Sequence, residues 1–264
     1  MADLAIDLAI VTGAGRGIGK ATALALGKQG VPTLCISRTA TCSDVASEII
    51  AGGGRAEALC LDLADYSAVR RHLSEFLKRK RPSSRLAIVA AAGILGPKGP
   101  TWDSDLEGWD HTFRVNVLGN TAVLQAALPI MRESGFGRVV MFAGGGSAYA
   151  YPTFPAYAIS KTALVREVEN IGVEMEQVRD FSIVMLSPGA VETDMLSDIR
   201  AAGAEIRTPT GVAEAVGFIS SFLAAADARK LSGRFIHVRD TWREFVADPD
   251  RALADDLWKL RRAK

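Results

Sequence analysis

Short, continuously apolar runs alternate with longer segments of helical period along the chain. The apolar runs predict strands at Leu8–Thr12, Pro32–Ser37, Ala56–Leu61, Leu86–Ala90, Arg138–Phe142, Ser182–Leu186 and Arg234–Val238. The segments between them predict helices at about Gly17–Gly30, Ser43–Ala51, Tyr66–Lys80, Leu106–Arg132, Ala156–Val178 and Gly211–Ala225. Strands that are apolar throughout are typical of parallel strands covered on both faces. The pattern therefore predicts an α/β fold, a doubly wound and mostly seven-stranded parallel sheet with helices on both faces.

Two segments interrupt this alternation. The connection from Pro188 to Pro209 follows the sixth strand, and its length at the end of a strand predicts a lid at about residues 189–210. The segment from Thr241 to Lys264 forms a C-terminal extension, within which Pro249–Arg262 has the pattern of an amphipathic helix. The sequence contains no internal repeat and no low-complexity linker, so residues 1–264 are interpreted as a single domain.

Composition excludes several classes of protein. The 264 residues include 31 Lys+Arg and 30 Asp+Glu, and a net charge of +1 argues against a nucleic-acid binder with a general basic surface. No run approaches the roughly 20 apolar residues that a membrane span needs. The acidic residues near the N-terminus stand where a signal peptide would be positively charged, so we expect a cytoplasmic protein.

The cysteines and histidines give no metal or disulfide pattern. The three cysteines have no C-x-x-C spacing, which excludes a disulfide framework and a zinc site built on paired thiolates. Cys35 and Cys60 lie in apolar runs and are expected in the core. The three histidines are far apart in the sequence, so no metal site is predicted.

A glycine-rich turn joins the first strand to the first helix, with the sequence Thr12-Gly13-Ala14-Gly15-Arg16-Gly17-Ile18-Gly19. In such a turn Gly13 permits a tight bend, Gly17 lets the backbone approach a pyrophosphate, and Gly19 allows close packing of helix and strand. The helix that begins here would aim free N–H groups and the positive end of its dipole at the phosphates. The turn therefore predicts a dinucleotide-binding site.

Residues at the ends of later strands indicate which dinucleotide. The second strand ends in Ser37-Arg38, without the acid that usually binds the ribose 2′-hydroxyl of NAD. Arg38 and Arg16 could instead flank a 2′-phosphate, which favours NADP(H) over NAD(H). The later strand ends add predicted contacts to the adenine and its ribose: Asp62, Leu63, Ala91 and Gly93.

Tyr157 and Lys161 lie four residues apart on a predicted helix, so their side chains share one face. Because an ammonium group near a phenol favours the phenolate, we expect Lys161 to lower the pKa of Tyr157 from about 10. A tyrosine of this kind can donate a proton to a carbonyl oxygen during hydride delivery, or accept one in the reverse direction. Asn116 lies inside an apolar helix, where its amide needs a polar partner.

These motifs, together with Pro188-Gly189-x-x-x-Thr193, resemble those of the short-chain dehydrogenase/reductase family over essentially the whole chain. The resemblance implies a Rossmann-type fold in which Tyr157 is the acid/base and Lys161 lowers its pKa and holds the nicotinamide ribose. It also implies that Asn116 keeps a water in the proton relay and that Val191 and Thr193 contact the nicotinamide carboxamide. The family's long helices pair across a two-fold axis, so a homodimer or homotetramer is expected.

The chain departs from the family pattern in the loop before Tyr157. The family has a serine there that binds the substrate oxygen, whereas this sequence reads Ala143-Gly144-Gly145-Gly146-Ser147, and Ala143 or Gly144 stands at the expected place. Losing a donor of this type costs on the order of 10²–10³ in rate. Three explanations stay open: Ser147 swings in as a catalytic donor, the substrate supplies or does not need the bond, or the protein binds cofactor with little activity.

The predicted substrate pocket lies between Ala143–Tyr151, Ile94–Trp102 and the lid around Met195–Ile206. Its apolar wall would include Gly96, Pro97, Phe154 and Met195, and its few charges would be Arg200 and Arg207. We therefore expect an NADP(H)-dependent oxidoreductase acting on a carbonyl or secondary alcohol with a hydrophobic scaffold. The alternatives are a nucleotide-binding regulatory protein on a degraded reductase fold, and an epimerase or dehydratase.

Overall fold

A parallel sheet of seven strands forms the centre of the computed structural model, which describes residues 5–80, 85–204, 206, 209–247 and 258–260. Its strands are β1 Leu8–Thr12, β2 Thr33–Ser37, β3 Ala56–Cys60, β4 Leu86–Ala90, β5 Phe136–Phe142, β6 Asp180–Ser187 and β9 Arg234–His237. Their spatial order is β3-β2-β1-β4-β5-β6-β9, with every neighbouring pair parallel. The predicted fold class is confirmed, and each predicted strand is observed.

Helices cover both faces of the sheet, as the apolar strands require. The helices are α1 Gly17–Lys28, α2 Thr41–Ala51, α3 Tyr66–Lys80, α4 Leu106–Phe113, α5 Asn120–Ser134, α6 Pro155–Glu174, α7 Asp194–Ala201, α8 Val212–Ala224 and α9 Trp242–Ala247. Apolar side chains of α1, α2 and α8 pack on one face, and those of α3, α5 and α6 pack on the other. Helix α6 ends four residues before the predicted Val178.

The long helix predicted at Leu106–Arg132 is continuous but not uniform. A π-helical segment, Arg114–Gly119, joins α4 to α5. Such a segment is one residue longer than the α-helical turn it replaces, and it often occurs at functional sites. Here it contains Asn116, whose side chain is fully buried.

The prediction for the cysteines is partly wrong. Cys35 lies in the core as expected, but Cys60 is exposed at the end of β3, the edge strand of the sheet. Cys42, in the first turn of α2, is buried instead. The sequence argument treated β3 as a covered inner strand, whereas its residues at the sheet edge are only partly buried or exposed. The Cys42 and Cys60 sulfurs lie 3.7 Å apart.

The predicted lid contains α7 and a short two-stranded ladder, β7 Ala190–Val191 with β8 Pro209–Thr210. Arg207 lies outside the described residues, as does most of the helix predicted at Pro249–Arg262. Among the helices that the structure describes, none is long and apolar enough to cross a membrane. The described parts of the chain also contain no cluster of His, Cys, Asp or Glu suited to a metal ion.

Candidate active site

A cavity of about 1010 Å³ lies at the carboxyl ends of the central strands. This volume is at the upper end of the roughly 300–1,000 Å³ typical of small-molecule sites, and in open α/β sheets ligands bind at this edge. Every residue predicted to contact the cofactor lines the cavity: Gly13, Arg16, Gly17, Ile18, Gly19, Ser37, Arg38, Asp62, Leu63, Ala91, Gly93, Tyr157, Lys161, Val191 and Thr193. Asn116 and Ser147, predicted as catalytic, lie behind its wall.

The glycine-rich turn is a close-packed cradle at one end of this cavity. Gly13 and Gly17 have φ angles of +64° and +55°, which side-chain-bearing residues rarely adopt. A Cβ at Gly19 would lie 2.2 Å from the Gly13 carbonyl oxygen, and one at Gly13 would lie 2.9 Å from the Ala91 carbonyl carbon. Helix α1 begins at Gly17 with no side-chain cap and no acid in its first turn. Its N–H groups and dipole are therefore suited to an anion.

The end of β2 presents hydroxyl groups and an arginine to the cavity, and no acid. The Ser37 hydroxyl donates to the Thr39 carbonyl oxygen at 2.7 Å, and its oxygen lies 3.3 Å from the Thr41 hydroxyl. Arg38 lies on the cavity wall beside them. Arg16 differs from the expectation, since its exposed guanidinium pairs with Asp194 of the lid at 3.1 Å.

Tyr157 and Lys161 lie in the first turns of α6, which begins at Pro155, a residue well suited to the first helical position. Both side chains are buried and both line the cavity. The Lys161 ammonium donates to the Phe142 carbonyl oxygen at 2.9 Å and lies 5.8 Å from the centroid of the Tyr157 ring. The Tyr157 hydroxyl oxygen lies 4.0 Å from the Met195 sulfur of the lid. The α-helical spacing thus brings the pair together as predicted.

Burial of Tyr157 opposes the effect expected from Lys161 on the pKa of Tyr157. Burial raises the pKa of Tyr157 above its usual value, and the nearby Tyr151 and Tyr149 hydroxyls raise it further. The same burial lowers the pKa of Lys161 to about 8. The sequence argument considered only charge, whereas desolvation dominates because both groups lie in an apolar wall.

Asn116 holds the segment after β4 against α6. Its amide oxygen accepts the Ile94 N–H at 2.8 Å, and its amide nitrogen donates to the Ile94 carbonyl at 2.9 Å and to the Ser160 hydroxyl at 3.0 Å. A Cβ at Gly93 would lie 3.3 Å from the Asn116 amide oxygen and 3.4 Å from the Lys161 ammonium. Glycine at this position therefore lets these two polar groups converge at the cavity wall.

At Gly144, one of the two positions where the serine of the family is expected, the side chain of Tyr157 fills the available space. A Cβ at Gly144 would lie 2.1 Å from the Tyr157 hydroxyl oxygen, so Tyr157 occupies the space of a side chain at that position. Ser147 is buried, and its hydroxyl oxygen accepts the Gly144 N–H at 3.0 Å. In this arrangement Ser147 closes a turn and is not among the residues that line the cavity, so acting as a catalytic donor would require it to move.

The substrate end of the cavity differs from the predicted pocket. Gly96 packs on Thr112 and Pro97 on Gly108, away from the cavity, and Trp102 is 85% exposed. The Arg200 guanidinium pairs with Glu192 on the surface. The segment after β4 therefore contributes only its first residues to the wall, because it leaves the sheet to join α4.

The apolar part of the substrate end comes from α6, the loop before it and the lid. Tyr151, Phe154, Tyr157 and Ala158 form one buried cluster, which Met195 and Ile199 of the lid cover together with Leu95, Ala202 and Ala204. Phe154 and Met195 were predicted in this role.

The sequence did not identify His237 and Asp240 as cavity residues, and it included Tyr149 and Tyr151 only within the Ala143–Tyr151 boundary of the predicted pocket, without a role. His237 ends β9, and its Nδ1 accepts the Arg239 N–H at 3.2 Å. Its position after the last strand was a signal that could have been used, because ligands bind at the carboxyl ends of strands. The two tyrosines lie in a loop without any period, and no pattern in the sequence distinguished them.

Comparison with known proteins identifies the family. The family model for short chain dehydrogenases matches residues 7–204. The chain is 32% identical over 207 residues to the chloroplastic NADPH-dependent aldehyde reductase-like protein of Arabidopsis thaliana, covering 74% of this chain and 76% of that protein. It is 32% identical over 188 residues to a short chain dehydrogenase of Pseudocercospora fijiensis, covering 71% of this chain and 60% of that protein.

A solved structure agrees with this assignment. A putative NAD(P)-dependent gluconate 5-dehydrogenase of Beutenbergia cavernae, determined with bound NADP, superposes with a TM-score of 0.80 at 30% identity, covering 90% of this chain and 96% of that one. The glycine cradle and the Tyr157–Lys161 pair lie within the residues that the family model matches. The chain therefore belongs to the short-chain dehydrogenase/reductase family of oxidoreductases.

Proposed function

We propose that this protein is an NADP(H)-dependent oxidoreductase that interconverts a carbonyl compound and a secondary alcohol. The observation that carries the proposal is that one cavity joins the glycine cradle to the Tyr157 hydroxyl. Bound at the cradle, the nicotinamide cofactor would supply or remove the hydride. Tyr157 would then donate a proton to the carbonyl oxygen, or accept one from the alcohol.

The choice of NADP(H) rests on the end of β2. An acid that would repel a 2′-phosphate is missing at Ser37, and Arg38 and two threonine hydroxyls line the cavity there. The Beutenbergia cavernae structure holds NADP, and the Arabidopsis relative is described as NADPH-dependent. Arg38 would hold the 2′-phosphate through charge-assisted hydrogen bonds.

Lys161 and Asn116 would complete the proton path from Tyr157. Lys161 would hold the nicotinamide ribose hydroxyls, because its ammonium lies at the cavity wall between Gly93 and Tyr157. A protonated Lys161 would also favour the phenolate of Tyr157 as the proton leaves. Asn116 fixes the backbone at Ile94 through two hydrogen bonds. It would also position a water molecule that returns a proton to the Tyr157–Lys161 pair.

The central experiment measures carbonyl-dependent oxidation of NADPH by wild type, Tyr157→Phe and Tyr66→Phe. The panel would contain aryl ketones, aldehydes, β-ketoacyl thioesters and quinones. We expect Tyr157→Phe to lose at least about 10²-fold in turnover while its NADPH affinity stays unchanged. Tyr66 lies at the start of α3 outside the cavity, so its variant should match wild type. Full turnover by Tyr157→Phe would contradict the assigned acid/base.

Cofactor choice is tested by titrating NADPH and NADH against cofactor fluorescence. We expect wild type to favour NADPH and Arg38→Ala to lose this preference, because a charged contact to the 2′-phosphate is removed. Arg55→Ala is the matched control, since Arg55 is exposed and lies outside the cavity. Equal affinity of wild type for both cofactors would refute the role of Arg38.

One observation favours a second candidate, a nucleotide-binding regulatory protein. The loop after β5 offers no serine hydroxyl, since Gly144 faces Tyr157 and Ser147 closes the turn. Tight NADPH binding with no turnover of any carbonyl in the panel would support this candidate over the reductase. An epimerase or dehydratase would instead convert its substrate without a net change in NADPH.

The surface of α5 and α6 supports the proposed homodimer or homotetramer. Ile159 and Val173 on α6 are 49% and 72% exposed, and Leu118 before α5 is 43% exposed. Burying such residues against a second copy would stabilise a two-fold assembly. Light scattering of wild type and Val173→Glu should show a loss of oligomer in the variant.

A further inference from the structure

The loop after β5 is built around a second tyrosine, Tyr151. A Cβ at Gly145 would lie 3.1 Å from Cζ and Cε1 of the Tyr151 ring, and one at Gly146 would lie 2.9 Å from the Tyr151 Cβ. Glycine at both positions therefore makes room for this ring, as Gly144 does for Tyr157. Removing the side chains from three successive residues thus places two phenols against one loop.

Tyr151 also belongs to the wall where a substrate carbonyl would lie. It is 8% exposed, and it packs in one cluster with Phe154 and Tyr157 under Met195 of the lid. The Tyr151 side chain lines the same cavity as the Tyr157 hydroxyl, and its own hydroxyl is near enough to raise the pKa of Tyr157. Tyr149 also lines the cavity, but it is 38% exposed and meets Tyr151 edge to face at 6.4 Å.

We propose that the Tyr151 hydroxyl donates the hydrogen bond to the substrate carbonyl oxygen that the family takes from its serine. Tyr157 still transfers the proton, and Tyr151 stabilises the negative charge that develops on the same oxygen. This inference rests on the proposed reductase function. It assigns the missing hydroxyl to a residue six positions before Tyr157, outside the Gly144–Ser147 turn.

The test compares Tyr151→Phe, Tyr149→Phe and Tyr66→Phe with wild type in the carbonyl panel. Phenylalanine keeps the ring that fills the space beside Gly145, so thermal unfolding should confirm that the variant is folded. We expect Tyr151→Phe to lower kcat about 10- to 100-fold, with the Kd for NADPH within about twofold of wild type. Tyr149→Phe should lose less activity than Tyr151→Phe, and Tyr66→Phe should lose none.

Two results would overturn this role for Tyr151 alone. One is a Tyr151→Phe enzyme with wild-type kcat beside an inactive Tyr157→Phe enzyme, and the other is a larger loss in Tyr149→Phe. Absence of turnover by wild type with every carbonyl would overturn the proposed reductase function and this inference together. An unchanged kcat with a raised KM would show that Tyr151 only fits the substrate, which also contradicts the proposal.

A second, independent observation concerns the thiols of Cys42 and Cys60. Their sulfurs lie 3.7 Å apart, with Cys42 buried in the first turn of α2 and Cys60 exposed on the edge strand. The Cys42 thiol donates weakly to the carbonyl oxygens of Thr39 and Leu59, at 3.4 and 3.6 Å. An accessible thiol beside a buried partner is the arrangement in which a mixed disulfide can be resolved within one chain.

The two thiols flank the wall of the cavity at its 2′-phosphate end. Thr41, next to Cys42, lies on that wall with its hydroxyl 2.9 Å from the Thr39 hydroxyl. Leu61, next to Cys60, also lines the cavity. A disulfide needs the sulfurs at about 2.05 Å, so forming one would shift both parts of the wall.

We propose that Cys42 and Cys60 form a reversible disulfide that weakens dinucleotide binding. The Cys60 thiolate attacks a low-molecular-weight disulfide such as glutathione disulfide and releases one thiol. The Cys42 thiolate then attacks the Cys60 sulfur of the mixed disulfide and releases the second thiol. In total two protein thiols are oxidised to one disulfide, and one small disulfide is reduced to two thiols.

The test incubates the full chain with glutathione disulfide and measures intact mass, free thiols and NADPH affinity. We expect wild type to lose about 2 Da as two thiols become one disulfide, and its Kd for NADPH to rise at least about fivefold until dithiothreitol restores it. Cys60→Ser should lose neither mass nor affinity. Cys35→Ser should behave as wild type, because Cys35 is buried in the core and burial raises its pKa to about 12.

Three outcomes would refute the thiol switch. The first is an unchanged mass of wild type after incubation with glutathione disulfide, and the second is a mass loss that persists in Cys60→Ser. The third is an unchanged Kd for NADPH after oxidation. Because these measurements use binding and mass, they do not depend on finding a substrate.

Discussion

Glycines allow close packing at both ends of the cavity, but the groups that pack against them differ between the two ends. At the cofactor end, Gly13 and Gly19 are needed because backbone meets backbone: a Cβ at Gly19 would lie 2.2 Å from the Gly13 carbonyl oxygen. At the substrate end, glycines are needed because backbone meets side chain, as where Gly144 faces the Tyr157 hydroxyl. The contact between Gly19 and Gly13 depends on spacing within one turn, whereas the contact between Gly144 and Tyr157 depends on a side chain of another element. The cofactor end is therefore fixed by a motif, and the substrate end can change when one side chain changes.

The largest effect is expected at the cofactor end, from Gly19→Val. Because the obstructing atoms are backbone, the turn must open, and we expect NADPH affinity to fall by more than about 10²-fold. Fluorescence titration with NADPH measures this loss. Gly217→Ala is the control, since a Cβ there meets nothing within 4 Å and alanine favours the helix interior. Retained affinity in Gly19→Val would show that the cradle does not bind the pyrophosphate.

The next effect is expected at the substrate end, from Gly144→Ser. Although this change restores the serine of the family pattern, its Cβ would displace the Tyr157 hydroxyl. Misplacement of a reacting group by about 1 Å costs up to about 10²-fold in rate, so we expect turnover to fall while the Kd for NADPH is kept. Steady-state kinetics would measure both quantities. A gain in turnover would mean that the loop relaxes and that the missing serine limits the wild-type enzyme.

Lys161 contributes to both ends of the cavity, and the burial of its charge lowers the free energy of unfolding. Its folded-state pKa of about 8 is below the ordinary 10.5, so its buried charge opposes folding at pH 7. We expect Lys161→Met to raise the free energy of unfolding by about 1–3 kcal/mol at pH 7, after loss of its bond to the Phe142 carbonyl. Urea unfolding of wild type and variant, without cofactor, measures this difference.

The pH dependence of that difference gives a further check. Below pH 8 Lys161 is protonated in both the folded and the unfolded chain, so the stability gain of the variant is constant. Between pH 8 and 10.5 the unfolded chain binds more protons than the folded one, so this penalty on the wild type shrinks as pH rises. A stability gain that instead grew over this range would contradict the burial of a charged Lys161.

The smallest effect is expected for Ser147→Ala. Its hydroxyl oxygen accepts the Gly144 N–H, so we expect a loss of about 1 kcal/mol in stability and only a minor loss in kcat. Thermal unfolding and kinetics together separate the two. A loss of kcat as large as that of Tyr157→Phe would restore Ser147 as the catalytic donor and remove the contrast between the two ends.

The sequence predicted well those features that depend on neighbouring residues. Continuous apolar runs located the strands, and the glycine spacing located the cradle, because both obey local backbone geometry. The sequence did not predict features that depend on packing between residues far apart in the chain. The exposure of Cys60 follows from the edge position of β3, and the raised pKa of Tyr157 follows from burial beside other tyrosines. The hydrogen bond between Ser147 and the Gly144 N–H could not be predicted from the sequence, because it is defined only by the turn.

The position of the Asn116 side-chain amide depends on the number of residues in the π-helical segment Arg114–Gly119. Deleting Leu118, a half-exposed residue in that segment, would convert the helix to a uniform α-helix and rotate everything before it by about 100° relative to α5. Asn116 would then keep its identity but lose its bonds to Ile94 and Ser160. Deleting one residue that does not line the cavity would therefore silence this site while every active-site residue remained in the sequence.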